Sequence, residues 1–298
     1  MIKSNTNYSK SRSFSLITTF AFMWVAINFS PQFADLFGYM LILSVGILHG
    51  SNDLYLIKKS LVKKQPKLLV VIAIYLSVIL GAALLFYQLP LLALTSFVLF
   101  SAYHFGEQHW TSRLSGNRWM VSLFYFSYGL TILLLLFFCN FDDTAKVIVD
   151  ITNFSLPENL FLNGLVFFGV VSIILGNHLL TIEFLKKKSV EEIFYLFLFF
   201  LLFKAASLIW GFAVYFVLWH AIPSLIDQIK FLHGDINTQT VRKYVLSSIL
   251  NWIIALFGLA MMYFVFRNDD SVFITIFFSF LAAITFPHVL VISNIYKQ

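Results

Sequence analysis

The chain runs repeatedly for about twenty residues without a charged side chain, and Leu68 to Leu89 is the plainest case. A helix of that length, rising about 1.5 Å per residue, matches the roughly 30 Å hydrocarbon core of a bilayer. Only 11% of the residues are charged, against about 25% in a soluble domain. The sequence therefore predicts an all-α, polytopic transmembrane helix bundle. It reads as a single integral-membrane domain over 1–298, with residues 1–13 as a short basic tail. The apolar stretch after that tail lacks a small-residue cleavage signature and is taken as a retained first span. The formal net charge of +6 reads as loop bias in a membrane protein rather than a nucleic-acid surface. The lone Cys139 permits no intrachain disulfide and no cysteine metal cluster.

Taken in order, the predicted helices are Phe14–Phe29, Leu36–Ile57, Leu68–Leu89, Pro90–Gln108, Trp119–Phe138 and Leu160–Ile182. Two more, Tyr244–Phe266 and Val272–Tyr296, close the chain. Asn140 to Glu158 reads as an acidic loop, and Lys186 to Lys188 as a basic stretch between helices. Glu192 to His220 is ambiguous. As one helix it would be about 43 Å long, beyond the bilayer core unless strongly tilted. As two, the second must continue to about Phe231. The loop charges favour two. With the N-terminus inside, the loops carrying Lys58 to Lys67, Arg113 to Arg118, Lys186 to Lys188, and Lys230 to Lys243 then all face the cytoplasm. That gives about ten helices with both termini cytoplasmic, in the plasma membrane.

Ionisable groups inside these runs are costly unless they face protein, water or a metal. The densest set is SAYHFGEQHW, Ser101 to Trp110, where His104 and Glu107 share a helix face. His49, His220 and His288 lie in three other apolar segments. In the ten-helix topology all four histidines fall in the cytoplasmic half of the membrane, whereas nine helices would separate them into two pairs. Several neutral imidazoles suit Fe, Zn, Cu or Ni. Asp53, four residues after His49, is placed to orient a ligand on its own or a neighbouring helix. Glu107 reads as polar support. His109 reads as interfacial, and His178 and His233 as uninvolved. No P-loop, dinucleotide fingerprint, GxSxG elbow or HExxH is present.

HGSND at His49–Asp53, YHFGEQ at Tyr103–Gln108, WHAIPSL at Trp219–Leu225 and PHVLV at Pro287–Val291 resemble the motifs of the Brp/Blh family. These are membrane β-carotene 15,15'-dioxygenases, and the resemblance spans nearly the whole chain. It implies Fe(2+) held by His49, His104 and His220. It also implies β-carotene and O2 as substrates, drawn from and within the lipid bilayer, with two molecules of all-trans-retinal supplied to a rhodopsin-type protein. The family carries a further histidine four residues after the one in its Trp-His motif, and here that residue is Ser224. Three alternatives follow. The iron keeps three histidines, His288 supplies a fourth, or the activity is altered. Pro223 and Pro287 are expected to alter the local helix beside these residues. Two other readings stay open beside the enzyme. One is a carotenoid- or retinal-binding protein without turnover, and the other is a transporter whose pathway Lys204 and Asp53 would mark.

Overall fold

The structure is a computed structural model that describes residues 6–60, 67–111, 113–114, 116–266 and 272–296. Lys63 and Lys64, part of the basic loop read above, lie outside the described residues. Every regular element among the described residues is helical. Helix α1 (Thr6–Asn28) is followed by a kinked unit comprising α2 (Pro31–Leu41), the π-helical turn π1 (Ile42–Gly46), α3 (Ile47–Gly50) and α4 (Asp53–Ser60). Then come α5 (Leu68–Gln88), α6 (Pro90–Trp110), α7 (Arg118–Cys139), α8 (Phe141–Thr152), α9 (Glu158–Leu179) and α10 (Ile182–Ala205). A second kinked unit joins α11 (Leu208–Tyr215), π2 (Phe216–Ala221) and α12 (Ile222–His233). The chain ends in α13 (Thr238–Phe266) and α14 (Val272–Tyr296).

The ambiguous stretch resolves into two helices. Ser207 makes the break, because its side chain caps the next helix by accepting from Trp210 N–H at 3.3 Å. The second helix runs on past His220, as the length argument requires. Several boundaries differ from the sequence reading: α1 begins at Thr6, within the stretch read as a tail, and the next unit begins at Pro31 rather than Leu36. Lys186 to Lys188 belong to α10, which starts earlier because Thr181 caps it, accepting from Phe184 N–H at 3.2 Å. The Asn140–Glu158 segment is mostly α8, an amphipathic helix that buries Thr144, Ile148 and Ile151 and leaves Asp142 and Asp143 at its start. Pro287 begins no new geometry: it sits inside a continuous α14. Pro223 falls in the first turn of α12, where its missing N–H costs little.

Seven of these helical units are long and apolar enough to cross a membrane: Pro31–Ser60, Leu69–Gln88, Arg118–Cys139, Glu158–Leu179, Leu208–His233, Thr238–Val265 and Thr275–Tyr296. Large apolar side chains such as Leu69, Leu80, Phe167, Leu250 and Phe257 stand exposed on their outer faces, as lipid-facing residues do. The chain is a helical membrane bundle. The remaining long helices, α1, α6 and α10, meet in a buried charged cluster. There Glu192 accepts from Arg113 at 2.8 Å, pairs with His109 at 2.9 Å and has Arg12 at 3.4 Å.

The tightest helix pair is α6 against α7. A Cβ on Gly106 would come within 1.9 Å of Tyr125 O, and one on Gly129 within 1.8 Å of Ala102 O. The backbones therefore touch through reciprocal glycines, the small-residue device of membrane helix packing. This contact fixes α6, and with it His104 and Glu107.

Candidate metal centre

The four histidines from four distant segments come together. His49 arrives from α3, His104 from α6, His220 from π2 and His288 from α14. Their ring centroids are 4.6 Å apart for His49–His288, 5.3 Å for His288–His104, 4.7 Å for His104–His220 and 5.4 Å for His220–His49. All four are nearly inaccessible, at 1–5% exposure. The two π-turns pack against each other and bracket this site. π1 lies one turn before His49 and π2 contains His220, so a widened turn re-aims each kinked unit where a ring must point inward.

A widened or broken helix frees backbone carbonyls, and inside a membrane these need protein partners. Each is met. Trp252 Nε1 donates to Leu43 O at 2.8 Å in π1, and Ser15 Oγ to Leu218 O at 2.6 Å in π2. Between α3 and α4 the chain turns at Ser51–Asn52. There Asn251 donates to Ser51 O at 2.8 Å and the Tyr244 hydroxyl to His49 O at 3.3 Å. Asn52 donates in return to Tyr244 O at 3.1 Å and to Ser248 Oγ at 2.6 Å. Thus α13 contributes no imidazole but holds the HGSN turn in place.

That turn also changes the role of Asp53. The break between α3 and α4 removes the helical register with His49. Instead the Asp53 carboxylate meets His288 across the bundle, with Nδ1 to Oδ1 at 2.8 Å, and its other oxygen accepts from the Tyr75 hydroxyl at 2.9 Å. His49 Nδ1–H donates to Gly46 O within its own helix. A carbonyl oxygen can only accept, and an ionised carboxylate likewise. Both rings therefore carry their proton on Nδ1 and present a lone pair at Nε2. Nε2 of His49 and of His288, and both ring nitrogens of His104 and of His220, are buried without a hydrogen-bond partner. Glu107 stands outside the ring set, accepting from Tyr103 OH at 3.2 Å and from the Ser293 hydroxyl, and so ties α6 to α14. Ser224 is fully buried, and its hydroxyl accepts from Gln228 at 3.1 Å. His109 sits in the charged cluster, while His178 and Lys204 are exposed.

Buried polar atoms left without partners are expensive, and a set of imidazole lone pairs gathered in one place is what a metal would satisfy. The spacing agrees. With metal–nitrogen bonds of about 2.1 Å and ring nitrogens about 1.1 Å from the imidazole centre, two rings on one ion stand about 4.5 Å apart at a right angle and about 5.2 Å apart at the tetrahedral angle. Two of the observed separations, 4.6 and 4.7 Å, fall in that interval, and the other two, 5.3 and 5.4 Å, lie just above it. Among the described residues no group of three or more His, Cys, Asp or Glu side chains is in ready geometry for an ion, so the rings share a site without yet forming a coordination sphere.

Two apolar cavities lie near the cluster, and only the first is lined by its imidazoles. One, of about 360 Å³, is lined by His49, His288, Tyr75, Phe216 and Leu281 among others. The other, of about 340 Å³, is lined by Phe105, Phe212, Leu133 and Phe278 among others. Phe105 packs on His220 with centroids 4.5 Å apart and reaches Phe216 at 6.1 Å. This aromatic pair stands between the cavities beside the imidazoles. Tyr75, Phe105 and Phe216 were not singled out from the sequence. Phe105 and Phe216 are two of thirty-six phenylalanines. Tyr75, a hydroxyl in an otherwise aliphatic stretch of α5, was the one legible signal.

These features define a helical membrane protein with a buried multi-imidazole site beside apolar chambers. The family model for beta-carotene 15,15'-dioxygenase matches residues 40–296, and the chain belongs to that family. The match takes in every segment that supplies a ring to the cluster. No curated protein and no solved structure matches the chain.

Proposed function

We propose that the protein cleaves β-carotene at its central double bond with O2, giving two molecules of all-trans-retinal, with Fe(2+) held by His49, His104 and His220. The observation that carries this reading is the set of unpartnered imidazole nitrogens, buried near two apolar cavities in a chain of this family. Ferrous iron on neutral imidazoles, when bound, supplies open positions at which O2 and the polyene can be activated.

The residues of the chain do the rest. Gly46 O and Asp53 hold two rings in the tautomer that presents Nε2 inward. The apolar walls exclude water and bind a substrate that has no hydrogen-bonding group. Phe105 and Phe216 pack beside the imidazoles, where the middle of the polyene would lie. In the overall reaction one carbon–carbon double bond breaks and each carbon takes one oxygen atom. No proton is gained or lost, so no general base is required. The polyene enters laterally from the bilayer. In this reading the protein crosses the plasma membrane ten times with both termini cytoplasmic, and retinal passes to a rhodopsin-type protein.

The test is expression in β-carotene-producing cells. Loss of orange colour with the appearance of retinal is expected. Intact carotenoid co-purifying with the protein, with no retinal formed, would instead establish a binding protein without turnover. A reporter fused after Gln298 that is active only outside the cell would reject the topology.

A further inference from the structure

We infer that His288 is the fourth metal donor of this chain, positioned by Asp53 and Tyr75, and that residue 224 has left the coordination set. The inference rests on the metal-dependent reading above and deepens it.

Three observations carry it. First, His288 closes the cluster: its ring lies 4.6 Å from His49 and 5.3 Å from His104, the first inside and the second just above the interval expected for two rings on one ion. Second, its two nitrogens are differentiated. Nδ1 faces the Asp53 carboxylate at 2.8 Å, while Nε2 is buried without a partner. A carboxylate behind a ligating imidazole fixes its tautomer and raises its basicity, the usual arrangement around metal-bound histidine. Asp53 is itself only 2% exposed. An ionisable group so placed in a membrane bundle is costly unless it serves a partner. Here it is clamped from the other side by the Tyr75 hydroxyl at 2.9 Å. The chain Tyr75–Asp53–His288 thus spans α5, α4 and α14 and ends at a free nitrogen within the cluster.

Third, Ser224 is committed elsewhere. Its hydroxyl accepts from Gln228 at 3.1 Å, and the Gln228 carbonyl accepts from the Tyr244 hydroxyl at 2.6 Å. Tyr244 in turn reaches His49 O. The position has become part of the scaffold that holds the His49 turn.

Metal binding itself is the readout, independent of turnover. The purified full-length protein in detergent is titrated with cobalt(II), whose visible spectrum reports nitrogen ligation, and Fe(2+) retained after anaerobic desalting is counted. His49→Ala, His104→Ala and His220→Ala are expected to lose metal altogether. His288→Ala is expected to bind at least 100-fold more weakly, with a changed cobalt spectrum and partial rescue by added imidazole, which can occupy the vacated space. Asp53→Asn is expected to weaken binding about 10-fold without loss of the ligand, and Tyr75→Phe less. Should His288→Ala fail to accumulate, His288→Gln is read in the same way, since it keeps a donor for Asp53. Wild-type affinity and spectrum in the His288 variants, alongside metal loss in the other three, would overturn this inference and leave the iron reading standing. Wild-type binding in all four histidine variants would overturn the iron reading itself.

Discussion

Helix α6 carries two histidines five residues apart, and they have opposite fates. His104 sits among three other imidazoles with both ring nitrogens unpartnered. His109 sits on the Glu192 carboxylate at 2.9 Å and stacks on Tyr128 with centroids 5.2 Å apart. Around His109 every charge has a counter-charge, since Glu192 also takes Arg113 and Arg12. Around His104 there is none to take. The first region uses its charged groups to hold α1, α6 and α10 together, although Arg12 Nη2, Trp110 Nε1 and Tyr128 OH are buried there without a partner. The second keeps its hydrogen-bonding capacity in reserve at the cost of buried, unsatisfied nitrogens. A polar cluster in a membrane protein is therefore not informative as such, and what separates these two is that one is held by ion pairs while the other gathers unpartnered imidazole nitrogens.

Substitutions at the two histidines should separate function from stability. His104→Ala is expected to reduce retinal formation by at least 100-fold in β-carotene-producing cells. The thermal midpoint of the metal-free protein should stay the same or rise, because a buried unpartnered ring is removed. Glu192→Ala should do the converse. It leaves Arg113 and His109 without their carboxylate in a partly buried setting, a clear loss of stability but one below the cost of about 3–5 kcal/mol for a fully buried pair, yet the metal content per folded molecule should not change. Loss of stability in His104→Ala comparable to that in Glu192→Ala would erase the distinction between the two regions.

Gly106 lies between the two histidines and probes both at once. Its missing side chain lets α6 touch the α7 backbone at Tyr125. Gly106→Ala needs more than 1 Å of separation to reach an ordinary contact distance, which displaces the whole end of α6. Overpacking of this kind costs about 1–3 kcal/mol. Metal affinity and stability should fall together, unlike in either variant above. Gly81→Ala, where nothing lies within 4 Å of the added carbon, is the control that should leave both unchanged.

The sequence carried most of the architecture because lipid makes a simple demand. Apolar runs, Pro90 at a helix start and the length limit on Glu192–His220 are all local signals, and the helices follow them. It also carried the four ring-bearing segments, since a histidine in an apolar run needs a reason. What it could not carry was pairing across the bundle. Asp53 four residues from His49 suggested a shared face, yet the Ser51–Asn52 turn broke that register and handed the carboxylate to His288. π-turns have no composition of their own. Their carbonyls are capped by Trp252 and Ser15, more than two hundred residues away in sequence. α8 was hidden because its alternating acidic and apolar residues resemble a solvated loop. Lys186 to Lys188 looked like a helix boundary but lie within α10.

The smallest effect is expected where the departure from the family pattern looked largest. Ser224 is fully buried, and Ser224→Ala removes one acceptor from the Gln228 side-chain amide. Gln228 keeps its bond from Tyr244 at 2.6 Å, so Tyr244 stays beside His49 O and the HGSN turn keeps its support. The loss should be one net hydrogen bond, about 1 kcal/mol, seen as a small drop in thermal midpoint. Cobalt(II) affinity and retinal yield should remain within about two-fold of wild type, a change under about 0.5 kcal/mol. If Ser224→Ala instead weakens metal binding 10-fold or more at near-normal stability, the serine hydroxyl is a donor to the metal site. Position 224 would then belong with His104 rather than with His109.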